Sequence, residues 1–121
     1  MYELMIKDSF SAAHNLRDYE GKCEHVHGHN YIVEACFIRE KLEKNGLAVD
    51  FSVLKKALKS ILDKLDHKYL NEDLEYFKKH NTSAENIAKY IYDLLKKEDF
   101  GAAVSKVSVW ESEDAKATYF E

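Results

Sequence analysis

Four of the six histidines, His14, His25, His27 and His29, fall within sixteen residues that also contain Cys23. Imidazole and thiolate are the usual donors to a borderline-soft divalent cation, and a thiol beside an imidazole is also a candidate base or nucleophile. His27 and His29 are two positions apart, so in a strand both rings leave the same face and can share one ion. Gly28 between them suits a place where the backbone passes close to another group. His14 can supply a third ring if the strand it ends lies beside the strand that begins near His27. Three histidines with an open fourth position describe a catalytic zinc site, whereas a structural zinc more often takes four protein ligands including thiolates. Other readings of these residues stay open. A lone His-x-His is often just two surface residues, and the nearby His14 and Cys23 are what favour ligation. His25 shares the parity of His27 and could replace His14, or line the site from a loop. A closed set of Cys23, His25, His27 and His29 would instead make a non-enzymatic zinc-binding module. His80 stands apart and reads as solvated, and Cys36 reads as a small core residue.

The elements that must position these side chains follow from periodicity. Tyr2, Leu4, Ile6, Phe10 and Ala12 share one parity and predict a strand ending near His14. A polar loop from Asn15 to Glu24 leads to a second strand starting near His27, in which Tyr31, Val33, Ala35 and Phe37 share one parity, set against Asn30 and Glu34 on the other. Asn45-Gly46 is a hairpin signal, which predicts that Leu47 to Val49 folds back as an antiparallel partner. Leu54, Leu58, Ile61, Leu62 and Leu65 recur at helical spacing after an N-cap at Asp50 or Ser52. Thr82-x-x-Glu85 has the form of a capping box for a second helix through Ile87, Ala88, Ile91, Leu94 and Leu95 that stops near Gly101. Val104 to Glu111 and Ala115 to Phe120 read as a closing hairpin. The order β, ββ, α, α, ββ lacks βαβ alternation, so the expected fold class is α+β: an antiparallel sheet with two helices on one face.

Composition bounds the function. A chain of 121 residues, 45% hydrophobic, fits one domain spanning residues 1–121. Its 18 basic and 22 acidic residues are interspersed, for a net charge of −4, which argues against nucleic acid as a direct ligand. Glu3, Lys7 and Asp8 interrupt the N-terminal segment, and no apolar run approaches the roughly 20 residues of a membrane span. A cytoplasmic protein is expected, with Cys23 and Cys36 as free thiols.

The run Cys23-Glu24-His25-Val26-His27-Gly28-His29-Asn30-Tyr31, preceded by Phe10-Ser11-Ala12-Ala13-His14, resembles the signature of the 6-pyruvoyl-tetrahydropterin synthase family. Leu47-Ala48-Val49-Asp50-Phe51 resembles the family's segment before its first helix. Leu65-Asp66-His67-Lys68-Tyr69-Leu70-Asn71 is similar to its LDHxxLN motif, and Glu111 stands where the family has a glutamate late in a strand. The resemblance covers essentially the whole chain. The three-residue gap between Cys23 and His27 resembles the bacterial branch that makes 6-carboxytetrahydropterin for queuosine, since animal-type 6-pyruvoyl synthases have a longer gap. One departure is at the second helix, where the family usually carries Pro-Thr-Ser/Ala-Glu and this chain reads Asn81-Thr82-Ser83-Ala84-Glu85.

The resemblance implies that His14, His27 and His29 hold Zn2+, that Cys23 is the catalytic thiol, that Asp66 and His67 form its acid/base relay, and that Glu111 anchors a pterin. A thiol with a free pKa of roughly 8.5 needs a cation or an imidazole to act as a base near neutral pH. Neighbouring helical residues project about 100° apart, so Asp66 can pair with His67 only if the helix ends there and the backbone turns. A carboxylate at Glu111 would match the two N–H donors of an aminopyrimidinone edge. Plainer readings are a helix-end dipole interaction for Asp66-His67 and a solvated strand end for Glu111. The resemblance further implies the tunnelling fold, a four-stranded antiparallel sheet with two helices on one face. It implies a homohexamer, a dimer of trimers with active sites at subunit interfaces, so that Glu111 and the zinc ligands can come from different protomers. The implied reaction takes 7,8-dihydroneopterin triphosphate to 6-carboxy-5,6,7,8-tetrahydropterin, with triphosphate elimination to a 6-pyruvoyl product as the alternative.

Overall fold

Alternating polarity makes the N-terminal segment a strand, β1 (Tyr2–His14), whose buried residues are Leu4, Ile6, Phe10, Ala12 and His14 in a computed structural model that describes all 121 residues. β2 (His27–Arg39) pairs with it antiparallel over its whole length, from Tyr2 opposite Arg39 to His14 opposite His27. β4 (Ala103–Trp110) lies on the other side of β2, and β5 (Lys116–Phe120) closes the hairpin beyond it. These four antiparallel strands are the expected sheet. A fifth strand, β3 (Lys68–Tyr69), adds two residues parallel to β1 at Ala12 and Ala13, giving the order β3-β1-β2-β4-β5.

Leu47–Val49 is not a strand, contrary to expectation. Asn45-Gly46 does turn the chain, with Gly46 at φ 82° and the Gly46 N–H donating to Glu43 O. The returning segment has no partner to join, however, because β1 and β4 already occupy both edges of β2. The Arg39 guanidinium meets it instead, donating to Ala48 O at 2.6 Å.

α1 (Phe51–Leu62) starts at Asp50, whose carboxylate accepts the Ser52 N–H, and buries Leu54, Leu58, Ile61 and Leu62. Two short helices, α2 (Leu70–Asp73) and α3 (Glu75–Lys79), follow β3. α4 (Ala84–Lys96) buries Ile87, Ala88, Ile91, Tyr92 and Leu95 and ends ahead of Gly101. Its N-cap is Ser83, which accepts the Asn86 N–H, rather than Thr82 as the capping-box spacing suggests. Thr82 is buried, and its hydroxyl is drawn away toward Asn15 O and Asn71 Oδ1. α1 and α4 pack on one face of the sheet around Tyr31, Val33, Phe37, Val107 and Val109. On the opposite face Met5, Lys7 and Ile32 are exposed. No helix is long and apolar enough to cross a membrane.

In urea unfolding, Ile91→Ala should cost about 2–5 kcal/mol as a truncation in a filled core. Ser83→Ala should cost about 1 kcal/mol as a lost cap. A Ser83→Ala chain as stable as the parent would return the capping role to Thr82.

Candidate metal centre and active site

The β1–β2 register builds the centre. His14 faces His27 across the ladder and His29 faces Ala12, so all three rings leave the helix-facing side where the two strands end. One ligand atom from each of His14, His27 and His29 lies within 4.8 Å of the others, a group that could hold a metal ion. The ring centroids are 4.5 Å (His14–His27), 4.7 Å (His27–His29) and 5.2 Å (His14–His29) apart. His25 does not join them. Its side chain is 80% exposed and lies near Glu24.

Hydrogen bonds decide which nitrogens are free. His14 Nδ1 is 2.8 Å from Thr82 O, and His27 Nδ1 is 2.7 Å from His25 O. A carbonyl only accepts, so Nδ1 carries a proton in both rings, and in a neutral ring Nε2 then keeps its lone pair. His14 Nε2 and His29 Nε2 are buried and bond to nothing in the chain. With the Tyr31 hydroxyl, they are its only buried side-chain nitrogen or oxygen atoms without a partner. Leaving such an atom unpaired costs roughly 1–3 kcal/mol. Burial is the main cause that lowers the pKa of His14 and of His29, favouring the neutral rings that a cation needs. Neutral imidazoles aimed at one point with unsatisfied nitrogens are a donor set that fits a zinc-type ion.

The other candidates surround this centre. Cys23 is half-buried on a single 3-10 turn, Lys22–Glu24, and its carbonyl accepts the Leu16 N–H at 2.7 Å. Asp66 and His67 lie beyond the end of α1, on the outer edge of β1. Asp66 Oδ1 accepts the Ser11 N–H at 2.9 Å, and the His67 N–H donates to Ser11 O at 2.6 Å. His67 has φ 57°, a left-handed backbone that turns its ring back until Nδ1 is 2.9 Å from Asp66 Oδ2. The Ser11 N–H first, and His67 second, hold the Asp66 carboxyl below the usual carboxylate range. The His67 ring is 82% exposed and shares with His29, Ser11, Asn30 and Tyr69 the lining of a cavity of about 470 Å³. No hydrogen bond joins Cys23 to Asp66 or His67, because the dyad leaves β1 at Ser11 while the thiol follows on the loop after His14.

Glu111 directly follows β4, and its Oε1 is 3.6 Å from His29 Nε2. Glu111 and His29 thus stand beside one another within the single chain. Glu111 also lines a smaller cavity of about 200 Å³ with Glu85 and Lys116. His80 stays apart, stacked on Tyr76 at 4.2 Å. Two contributors went unread in the sequence. Tyr31 shares the parity of His29 and could have been found by extending that face by one step. The Thr82 carbonyl leaves no residue-type signal at all.

Comparison with known proteins adds to this geometry. The sequence model described as 6-pyruvoyl tetrahydropterin synthase matches residues 3–121. A protein of Archaeoglobus fulgidus named as a putative 6-carboxy-5,6,7,8-tetrahydropterin synthase is 39% identical over 109 residues, covering 90% of this chain and 87% of that one. A putative 6-pyruvoyl tetrahydrobiopterin synthase of Caenorhabditis elegans is 37% identical over 101 residues, covering 74% of this chain and 72% of that one. The solved structure of Caenorhabditis elegans 6-pyruvoyl tetrahydropterin synthase superposes with a TM-score of 0.90 at 31% identity, over 99% of this chain and 95% of that one.

Titration with Co2+ should show one tightly bound ion per chain. His27→Ala should weaken it by more than the roughly 10–100-fold typical of residues that only support a ligand, and His25→Ala should leave it nearly unchanged. Equal losses in both variants would remove His27 from its place as a ligand.

Proposed function

The chain belongs to the 6-pyruvoyl tetrahydropterin synthase family and is an enzyme of that lyase class, and from this premise we propose that it is a zinc-dependent lyase acting on 7,8-dihydroneopterin triphosphate. The product is 6-carboxy-5,6,7,8-tetrahydropterin, as needed for queuosine, with acetaldehyde and triphosphate released. The observation that carries this reading is the set of three converging imidazoles, two of them (His14 and His29) with buried, unpaired Nε2 atoms, beside a carboxylate.

His14, His27 and His29 would hold the zinc, each through Nε2. Bound there, zinc supplies Lewis acidity toward the hydroxyls of the substrate side chain. Cys23 as thiolate moves protons at the side-chain carbons, and its half-buried place on a short turn leaves it reachable. His67 gives and takes protons at the hydroxyls, with Asp66 on Nδ1 fixing the ring so that Nε2 faces outward. Glu111 accepts the two N–H groups of the aminopyrimidinone edge, so the pterin would enter on the side of the small cavity beside Glu85.

The proposal includes a cytoplasmic homohexamer, a dimer of trimers with active sites at subunit interfaces. Two features of the single chain support the shared site. The outer edges of β5 and of most of β1 are unpaired, a liability that strand pairing between chains would remove. The exposed His67 ring has no bond to Cys23 of its own chain.

A second reading, elimination of triphosphate to 6-pyruvoyl-tetrahydropterin without cleaving the carbon chain, is favoured by the naming of the Caenorhabditis elegans relatives. The three-residue spacing from Cys23 to His27 supports the carboxy product instead. Incubating the purified chain with dihydroneopterin triphosphate separates them. The expected outcome is 6-carboxytetrahydropterin by mass with one trapped acetaldehyde per triphosphate, and a 6-pyruvoyl mass without aldehyde would select the second reading. Cys23→Ala should keep its zinc and lose about 10²–10⁴ in turnover, the range of a general acid–base group. Full activity in that variant would strip the thiol of its role.

A further inference from the structure

The segment joining the metal ligand to the thiol lies outside any strand or helix, yet the backbone N–H of each of its first three residues is bonded. Leu16 N–H donates to Cys23 O at 2.7 Å, which ties the thiol-bearing turn back to the start of its own loop. The residues on either side are held by side-chain amides. Asn71 Oδ1 accepts the Asn15 N–H at 3.0 Å, while Asn71 Nδ2 donates to Asn15 O at 2.9 Å. Asn81 repeats the arrangement two residues on, with Oδ1 accepting the Arg17 N–H at 3.0 Å and Nδ2 donating to Arg17 O at 2.8 Å. A side-chain amide presents a carbonyl and N–H donors as a peptide does. Asn71 and Asn81 thus act as the neighbouring strand that Asn15–Arg17 lacks.

Thr82 links the two arms. Its N–H donates to Asn81 Oδ1 at 3.1 Å, and its hydroxyl is shared between Asn15 O at 3.0 Å and Asn71 Oδ1 at 3.2 Å. Its carbonyl accepts the His14 Nδ1–H at 2.8 Å. Asn71, through the Thr82 hydroxyl, therefore also steadies the residue whose carbonyl sets the His14 ring. Asp18, Tyr19 and Glu20, farther along, make no hydrogen bond, so the grip at Asn15–Arg17 is the attachment of the whole loop. Asn71 is itself buried, and a polar side chain is stable there because its amide is used on both sides.

We propose that Asn71 and Asn81 form a two-armed amide clamp that fixes His14 and Cys23 relative to one another. Asn71, bonded next to His14 and to the Thr82 hydroxyl, is the positioning residue for the metal ligand. Asn81, bonded next to the Leu16 tie, is the positioning residue for the Cys23 turn. The Asn71 arm rests on the metal reading above, and the Asn81 arm does not.

The test compares Asn71→Ala and Asn81→Ala with the parent chain under conditions where circular dichroism shows each folded. Two quantities are measured: the Kd for Co2+ by chelator competition, and the rate of Cys23 alkylation by iodoacetamide in metal-free protein. The alkylation is read on the Cys23 peptide by mass so that Cys36 does not contribute. Asn71→Ala should raise the Co2+ Kd about 10–100-fold, as for other partners that orient a ligand. Asn81→Ala should speed Cys23 alkylation roughly tenfold, as expected when a local tie is lost, with the Co2+ Kd changed by less than about threefold. If both variants merely melt earlier and leave both quantities at parent values, the residues are structural only and the clamp is overturned. Should an alanine variant fail to fold, Asn71→Ser and Asn81→Ser, which keep one hydroxyl, give the same two readings. A parent chain that takes up no Co2+ would sink the metal reading itself, and the alkylation rate would still decide the Asn81 arm.

Discussion

The antiparallel register of β1 on β2 is the constraint on which the rest depends. Side chains alternate along a strand, so slipping the pairing by one residue would send every inward side chain of one strand outward. With His14 opposite His27, the same alternation that buries Phe10, Tyr31 and Val33 also delivers three imidazoles to one point at the strand ends. The core and the metal centre are therefore not separate demands on the sequence. Phe10 stacks on Tyr31 at 4.8 Å, and the Tyr31 ring edge meets His14 and His29, so the apolar layer runs without a break into the donor set. What fixes the register is thus the hydrophobic core, which is far larger than any term the site contributes.

The site divides between parts that the sheet makes rigid and parts that it does not. His14, His27 and His29 sit on paired backbone, where ladder hydrogen bonds hold them. Cys23 sits on a turn outside the sheet, and Asp66-His67 sit on a connection after α1. The chain secures these outliers to the sheet by different means. Ser11 takes both a backbone and a side-chain bond from the Asp66-His67 connection, and the two asparagine amides take the loop that leads to Cys23. A loop can carry a reactive group with useful placement only if such ties replace the missing ladder.

This division explains what could be read in advance. Periods of 2 and 3.6 are local, so β1, β2, α1, α4 and the β4–β5 hairpin were legible to within a few residues, and the shared parity of His27 and His29 with the end of β1 was legible with them. The failures share one cause, which is that a distant partner decides. Leu47–Val49 has strand-like residues but no free edge, because β4, drawn from the other end of the chain, already lies against β2. Thr82 and Ser83 are both capable caps, and the choice falls to Ser83 because Asn15 and Asn71 claim the Thr82 hydroxyl. The turn at His67, by contrast, was expected from the Asp66-His67 pair, and what the sequence did not show is the bond to Ser11, 56 residues earlier, that holds it. Carbonyls that set histidine tautomers are invisible in any sequence, because every residue has one.

The electrostatics of His29 show why the carboxylate and the histidines can be neighbours. Glu111, 3.6 Å away, favours a protonated ring, and a protonated ring has no lone pair to offer a cation. Burial opposes this and is the larger effect, so the pKa of His29 falls rather than rises, with His27 adding to the fall. At His14 the net shift is likewise downward. Desolvation is the largest cause there too, and it outweighs both the Thr82 carbonyl and Glu111, which raise the pKa. Burial, and not distance from negative charge, is thus what favours the neutral His14 and His29 rings. A carboxylate can then stand at the rim with its charge available to whatever positive or N–H-rich group enters, without converting the adjacent imidazole from a ligand into a cation. Were the apolar layer under His14 and His29 opened to water, the same Glu111 would favour a proton on the ring over any cation, which makes the packing of Phe10 and Tyr31 a condition of neutral imidazoles as well as of the fold.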